Sequence, residues 1–124
     1  MPSSKGIVRD SIKVDREEVE KADGIMIQRL ITEKHGSENI RMRKFTMEPG
    51  GSMVLHKHSN TEHVQYVLKG VIEVTIDGET NTVREGSAVF IPKGASHSYK
   101  NIGRIRAQFL CMIPTVDIET EVME

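Results

Sequence analysis

The stretch "VIEVTIDGETNTVR", residues 71–84, decides the fold class of this chain. Two runs rich in β-branched residues flank the dipeptide Asp77-Gly78. An Asp-Gly pair between two such runs is the strongest short-range signal for a β-hairpin, because both residues tolerate the positive φ angles of a tight turn. The stretch therefore predicts two antiparallel strands.

Short apolar or alternating runs separated by turn residues continue over most of the chain, which is typical of all-β proteins. Further tight turns are indicated by "PGG" at 49–51, "KG" at 69–70, "EG" at 85–86 and "PKG" at 92–94. About nine short strands and no long amphipathic helix predict a β-sandwich or barrel. The predicted strands are "GIMIQRLI", "IRMRKFTM", "SMVLHKH", "HVQYVL", "VIEVTI", "TNTVR", "SAVFI", "HSYKN" and "RAQFLCMI".

The length of 124 residues suits a single domain. Residues 1–23 are polar and charged and form a predicted N-terminal segment, and residues 24–124 form the predicted β-barrel domain. Within the segment, "DREEVEKADG" could form a helical turn, although it has too few apolar residues for a stable amphipathic helix. The first ten residues lack the apolar core of a signal peptide.

Charge and cysteine content narrow the possible partners and compartment. With 17 basic against 18 acidic residues, the chain has no basic excess, so we expect neither nucleic acid nor a membrane surface as a partner. No apolar run approaches the length of a membrane span. Arg41 and Arg43 in "RMRK" are expected on one solvated strand face. A single cysteine, Cys111, excludes an internal disulfide and favours a reducing compartment, the cytoplasm.

Three of the five histidines lie in "HKHSNTEH", residues 56–63. On a strand, residues two apart face the same way, so His56 and His58 would present two imidazoles side by side to one metal ion. His63 begins the next predicted strand, and His97 follows the rigid "PKGAS" turn. Scattered surface histidines are the alternative, but this clustering favours metal binding. His35, in a polar loop, is expected to be exposed and without a role.

Two stretches resemble the two motifs of the cupin family. Residues 50–70 resemble the first motif, in which five residues separate a glycine from H-x-H and six residues separate a third ligand from a second glycine. "GSAVFIPKGASHSYKN", residues 86–101, matches the second motif at each defined position. The resemblance implies a double-stranded β-helix, or jelly-roll barrel, with a metal bound by His56, His58, His63 and His97.

The third ligand of a typical cupin is glutamate, whereas the spacing to Gly70 selects His63 here. Glu62 is adjacent, and a slip of register would place its carboxylate in the site, but strand alternation sends Glu62 and His63 to opposite faces. The chain thus resembles the small all-histidine cupins, to which "MRKFTMEPGG", "YVLKG" and "FLCMIP" are also similar. This implies one divalent metal per chain, manganese or iron, although zinc, nickel, copper or cobalt would also suit imidazole ligands.

Several side chains are expected to line the metal cavity. Tyr99 shares the face of His97, and Met53 precedes His56 on the same predicted strand. Both faces of "AQFLCMI" are apolar, so periodicity alone does not orient it. The resemblance implies that Phe109, Cys111 and Ile113 face the cavity. The alternative for Cys111 is a small buried hydrophobe.

The resemblance implies a metal-dependent, oxygenase-type enzyme that acts on a small molecule. One alternative is a redox-neutral enzyme, an isomerase or decarboxylase, that uses the metal as a Lewis acid. Another is a sensor or storage protein without turnover. We also expect a homodimer, in which "GIMIQRLI" adds to a neighbouring sheet.

Overall fold

Residues 5–123, the part of the chain that this computed structural model describes, form ten strands and two short 3₁₀ turns. Residues 1–4 of the predicted N-terminal segment and residue 124 of the predicted barrel domain lie outside that part. The expected all-β fold is confirmed, and no helix within residues 5–123 is long and apolar enough to cross a membrane. The turns are η1 (Ser11–Lys13) and η2 (Glu33–His35), and the strands are β1 (Glu17–Glu18), β2 (Ala22–Ile31), β3 (Ile40–His58), β4 (His63–Lys69), β5 (Val71–Ile76), β6 (Glu79–Arg84), β7 (Ala88–Ile91), β8 (His97–Asn101), β9 (Ala107–Pro114) and β10 (Thr120–Val122).

The predicted Asp-Gly hairpin is confirmed. Strands β5 and β6 pair antiparallel, with Ile76 opposite Glu79 at the end of the ladder. Asp77 has a φ of +47° and Gly78 a φ of +82°. Two central residues with positive φ match the twist of the flanking strands, which explains why this dipeptide connects them.

Strand β3 continues through the "PGG" sequence, where we expected a turn, and that prediction is wrong. Gly50 has a φ of +79°, which bends the strand without ending it. At Gly51, a Cβ atom would lie 2.9 Å from the carbonyl oxygens of Glu48 and Gly24, so the close approach of β2 requires glycine. The first half of β3 pairs with β9 and the second half with β8, so one bent strand connects both.

The strands form one curled sheet in the order β6-β5-β8-β3-β9-β4-β7, and β2 runs along the other edge of β3. Alternate residues of each strand face the interior. There the rings of Phe45 and Phe109 stack with centroids 5.0 Å apart, and Tyr99 stacks on Phe109 at 5.3 Å. The next ring along is His97, 5.7 Å from Tyr99. The aromatic core therefore leads directly to the histidine cluster.

Within the N-terminal segment, the described residues lie along the outer edge of β2. The Arg9 guanidinium donates to the carbonyl oxygens of Arg29, at 3.2 Å, and Leu30, at 2.6 Å. Residues 17–18 form β1 rather than a helical turn, and the 3₁₀ turn η1 lies earlier in the chain. The backbone of these two exposed glutamates gains hydrogen bonds from an existing strand, whereas an isolated helical turn would be costly to nucleate.

Candidate metal centre

Three histidines from two neighbouring strands bring their ring nitrogens together. His56 and His58 lie near the end of β3, and β8 pairs with β3 so that His97 is opposite His56. The ring centroids of His56 and His97 are 4.2 Å apart. One nitrogen from each of the three rings lies within 4.8 Å of the others. Ligand nitrogens about 2 Å from one metal are separated by about 3–4 Å, so a small adjustment would bring all three onto one ion.

Hydrogen bonds at Nδ1 fix the tautomer of two of these rings. His56 Nδ1 lies 2.7 Å from the Val54 carbonyl oxygen, and His97 Nδ1 lies 3.0 Å from that of Ala95. A carbonyl oxygen only accepts, so each Nδ1 carries the proton and donates it. The lone pair is therefore on Nε2, where a metal would take it.

His58 is supported from two sides. Strand β10 pairs with the end of β3, and Thr120 Oγ1 lies 3.0 Å from His58 Nδ1. On the other side, Gly94 N donates to the His58 carbonyl oxygen at 2.9 Å. The "PKG" turn thus connects the H-x-H strand directly to the strand that carries His97.

His63, the first residue of β4, lies beside this group with only 3% of its surface exposed. Its ring centroid is 5.0 Å from that of His58 and 5.2 Å from that of His97. Its Nε2 is buried without a hydrogen-bond partner, an arrangement that a bound cation would satisfy. The neighbouring Glu62 is exposed, as strand alternation predicts.

The four rings are buried enough to stay neutral. Burial, the largest cause at each, lowers the pKa of His56 below its ordinary value, that of His58 to about 4 and that of His97 to about 4. Burial and then the Arg43 charge lower the pKa of His63 to about 2. Neutral imidazoles are the form that binds a metal, so this donor set fits a divalent transition-metal ion.

The histidines open into a cavity of about 680 Å³. Four of the five predicted pocket residues, Met53, Tyr99, Phe109 and Cys111, line it. Ile113 does not; it is buried and lines a second cavity of about 600 Å³. The strand does turn this face inward as expected, but Ile113 lies two residues beyond Cys111 and so past the end of the metal cavity.

A polar group that we did not predict lies behind the histidines. Gln65 Nε2 donates to the Tyr99 hydroxyl at 2.7 Å and lies 3.4 Å from Cys111 Sγ. His63 Nδ1 is also 3.4 Å from Cys111 Sγ. Gln65 lies two residues after His63 on β4, so strand alternation would have placed it on the cavity wall.

The prediction that Arg41 and Arg43 lie on a solvated strand face is wrong, most clearly for Arg43. It lines the cavity, and its Nη2 donates to Cys111 Sγ at 3.1 Å. Arg41 is partly buried and bonded to Glu33 at 2.7 Å. Charge favours solvent exposure in general, but the same strand face carries the buried Phe45 and therefore points inward.

Two further features frame the site. Residues 17–21 and the side chains of Ile118, Thr120 and Val122 form one rim of the cavity, so segments from both ends of the described chain meet there. His35 lines the second cavity rather than the metal cavity and caps η2, with its Nδ1 accepting from Thr32 N at 3.0 Å. It is partly buried rather than exposed.

Comparisons with known proteins agree with this architecture. An uncharacterized protein of Methanocaldococcus jannaschii is 34% identical over 77 residues, 60% of this chain and 62% of that protein. The polyketide synthase CurC of Streptomyces cyaneus is 34% identical over 64 residues, 52% of this chain and 42% of that protein. This chain thus spans less than two thirds of either relative. The structure of the polyketide cyclase RemF from Streptomyces resistomycificus superposes with a TM-score of 0.89 at 26% identity, covering 97% of this chain and 87% of that one.

A family model described as "Cupin domain" matches residues 43–113, more than half of the chain. That range includes both motif stretches and all four clustered histidines. The chain belongs to the cupin family.

Proposed function

We propose that the protein binds one divalent transition-metal ion per chain through Nε2 of His56, His58, His63 and His97. The convergence of three ring nitrogens within 4.8 Å supports this, as does the buried, unpartnered Nε2 of His63. Manganese and iron are our leading candidates, and zinc, nickel, copper or cobalt would also suit imidazole ligands.

We further propose that the protein is a redox-neutral enzyme that promotes enolisation or carbon–carbon bond formation in a small polycarbonyl compound. A divalent metal bound by neutral ligands alone keeps its full charge and acts as a Lewis acid on carbonyl oxygens. The single observation that carries this proposal is the likeness to a polyketide cyclase over 97% of the chain, with a site that has four clustered histidines.

The cavity wall supplies proton donors and an apolar surface for such a substrate. Burial raises the pKa of Tyr99, so its hydroxyl stays protonated at neutral pH. Because that hydroxyl accepts from Gln65 Nε2, its own proton is available to a substrate oxygen. Met53 and Phe109 on the same wall exclude water and fit an apolar substrate.

The oxygenase that led our sequence-based expectations is now the second candidate. Four neutral nitrogen donors favour the lower oxidation state of iron or manganese, from which dioxygen chemistry starts. An oxygenase would consume dioxygen in proportion to product, whereas a cyclase or isomerase would not.

One experiment distinguishes these candidates. The purified protein, with its metal content measured by elemental analysis, is incubated with a panel of small β-polycarbonyl compounds in an oxygen-electrode cell. Products of unchanged or dehydrated mass without dioxygen uptake would support the redox-neutral proposal. Stoichiometric uptake would replace it with an oxygenase, and binding without any product would identify a sensor. Loss of turnover in a His97→Ala variant would assign the activity to the site.

We also propose a homodimer, although by a different surface from the one expected. The outer edge of β2 is already covered, since Arg9 bonds to two of its carbonyl oxygens and Val19 N donates to that of Ile25. By contrast, the outer face of β4 and β7 exposes apolar side chains: Val64 at 49%, Tyr66 at 46% and Phe90 at 55%. Exposed apolar faces of this kind are commonly covered by a second copy.

Light scattering should therefore give twice the monomer mass, and a Val64→Lys/Phe90→Lys variant should give a folded monomer. Ile102→Lys, which places the same charge on an exposed apolar residue outside this face, should leave the mass unchanged. A wild-type monomer at high concentration would contradict the proposal.

We place the protein in the cytoplasm, since its single cysteine is free and buried. Fractionation of the source cells would test this.

A further inference from the structure

Arg43 stands out among the residues of the cavity wall because of what surrounds its charge. It lies on β3 between Arg29 of β2 and Cys111 of β9. Its guanidinium carbon is 5.2 Å from the centroid of the Phe45 ring, and Nη2 donates to Cys111 Sγ. Since Cys111 Sγ also lies 3.4 Å from His63 Nδ1, a single sulfur atom separates the guanidinium from the histidine cluster.

The Arg43 charge has no counterion among the described residues. Four ion pairs join side chains of residues 5–123, and Arg43 takes part in none of them. Its Nε is buried and has no hydrogen-bond partner, and its one acceptor is a sulfur atom, which accepts weakly. By comparison, Arg29 on the same wall is 2.8 Å from the Glu17 carboxylate. Leaving a partly buried cation without a counterion is costly unless a ligand supplies the opposite charge.

The distribution of the acidic side chains in the cavity also favours an anionic ligand. The carboxylates that line the cavity, those of Glu17, Glu18 and Glu20, are on the rim segment, and Glu17 is bonded to Arg29. The histidine cluster contributes no negative charge to a divalent metal. The inner cavity therefore combines an uncompensated metal charge with an uncompensated guanidinium, and both favour an anionic ligand.

We propose that Arg43 is a substrate-binding residue for a carboxylate, so that the cavity selects small carbonyl or enol compounds that also carry a carboxylate. The carboxylate would accept hydrogen bonds from the two Nη groups of Arg43, which lines the cavity, in a two-pronged geometry that guanidinium groups favour. A carbonyl or enol oxygen of the same molecule would then reach the histidine cluster. This inference rests on the proposed metal-dependent function and adds to it the chemical class of the substrate.

The test compares acetoacetate with its neutral methyl ester, because the two differ at the carboxylate alone. Binding to the zinc-loaded and the metal-free protein is measured by calorimetry, with metal content determined for every sample. The wild type should bind acetoacetate about tenfold more tightly than the ester, which is the scale expected of a well-placed arginine–carboxylate pair. Arg43→Met should abolish that preference in the metal-free protein and reduce it in the zinc-loaded protein, where the metal charge still favours the acid, while the metal content stays the same.

Two further variants keep the result interpretable. Lys44→Met removes the same charge from the adjacent residue, which does not line the cavity, and should leave the preference unchanged. Arg43→Lys retains the charge and the fold but lacks the two-pronged geometry, so it should retain only part of the preference. A melting temperature for each variant identifies any that fail to fold.

The outcomes separate the two proposals. Equal binding of acid and ester by the wild type, or an undiminished preference in Arg43→Met, would overturn the role of Arg43. Failure of the wild type to bind metal would overturn the proposed function instead. In that event the metal-free titrations alone would decide for Arg43: a preference that Arg43→Met removes would support it, and no preference would overturn it.

Discussion

His63 is the residue on which the composition of the metal centre depends. The resemblance assigns its position to a glutamate in a typical cupin, and its Nε2 is buried without a partner. We predict that His63→Ala lowers metal affinity by more than about 100-fold, because a direct ligand is lost and even the loss of a group that only supports a ligand costs about 10- to 100-fold. His63→Glu should retain the metal, since a carboxylate suits the same ions. Competition with a coloured chelator measures both affinities.

The control for this prediction is the neighbouring residue. Glu62 is exposed, so Glu62→Gln should leave metal affinity unchanged. If Glu62→Gln released the metal while His63→Ala retained it, the carboxylate would be the ligand and the site would be a three-histidine, one-glutamate centre.

Residue by residue, the sequence predicts those features of the site that depend on strand alternation. The side-by-side arrangement of His56 and His58 and the opposite directions of Glu62 and His63 both follow from a two-residue period. Arg43 was missed for a different reason: its charge argued for solvent, whereas the closure of the sheet turned its whole face inward. Which face becomes the interior is a tertiary property, and local charge does not determine it.

At the scale of the elements, β10 is one of two strands that the sequence did not predict; the other is β1. Strand β10 is exposed, and its three residues, Thr-Glu-Val, are too few to show an apolar pattern. Its pairing with the end of β3 places Thr120 against His58. A strand this short is stable only because a longer strand already offers it hydrogen bonds.

We predict that Thr120→Val lowers metal affinity by up to about tenfold, because it removes the partner of His58 Nδ1 while keeping the size of the side chain. Thr120→Ser, which keeps the hydroxyl, should restore wild-type affinity. The same chelator competition measures both. Equal loss in the two variants would mean that the methyl group or the strand itself matters, rather than the hydrogen bond.

At the scale of the whole molecule, three buried imidazoles and the partly buried His58 make stability depend on pH. The pKa of His58 and that of His97 are lowered to about 4, and that of His63 to about 2, mainly by burial. In the unfolded chain they would titrate near 6.5, so below that pH the unfolded state binds protons that the folded state does not. The free energy of unfolding of the metal-free protein should therefore fall as pH decreases from about 6.5 towards 4.

Urea unfolding of the metal-free protein at several pH values measures this dependence. Each buried histidine contributes at most about 1.4 kcal/mol per pH unit in this range. His97→Gln, which removes one such group, should give a shallower slope than the wild type. A stability that stayed constant between pH 6.5 and 4 would contradict the prediction.

The spacing of the four histidines has a consequence for how the chain folds. Three of them lie within residues 56–63, whereas His97 follows 34 residues after His63. A divalent ion can therefore bind the local trio before the sheet exists, and any such binding to the unfolded chain reduces the net stabilisation that the metal provides. In exchange, the ion organises the loop between β3 and β4 early, and only the longer closure that brings in His97 remains. The metal would then act as a template during folding as well as a centre for chemistry afterwards.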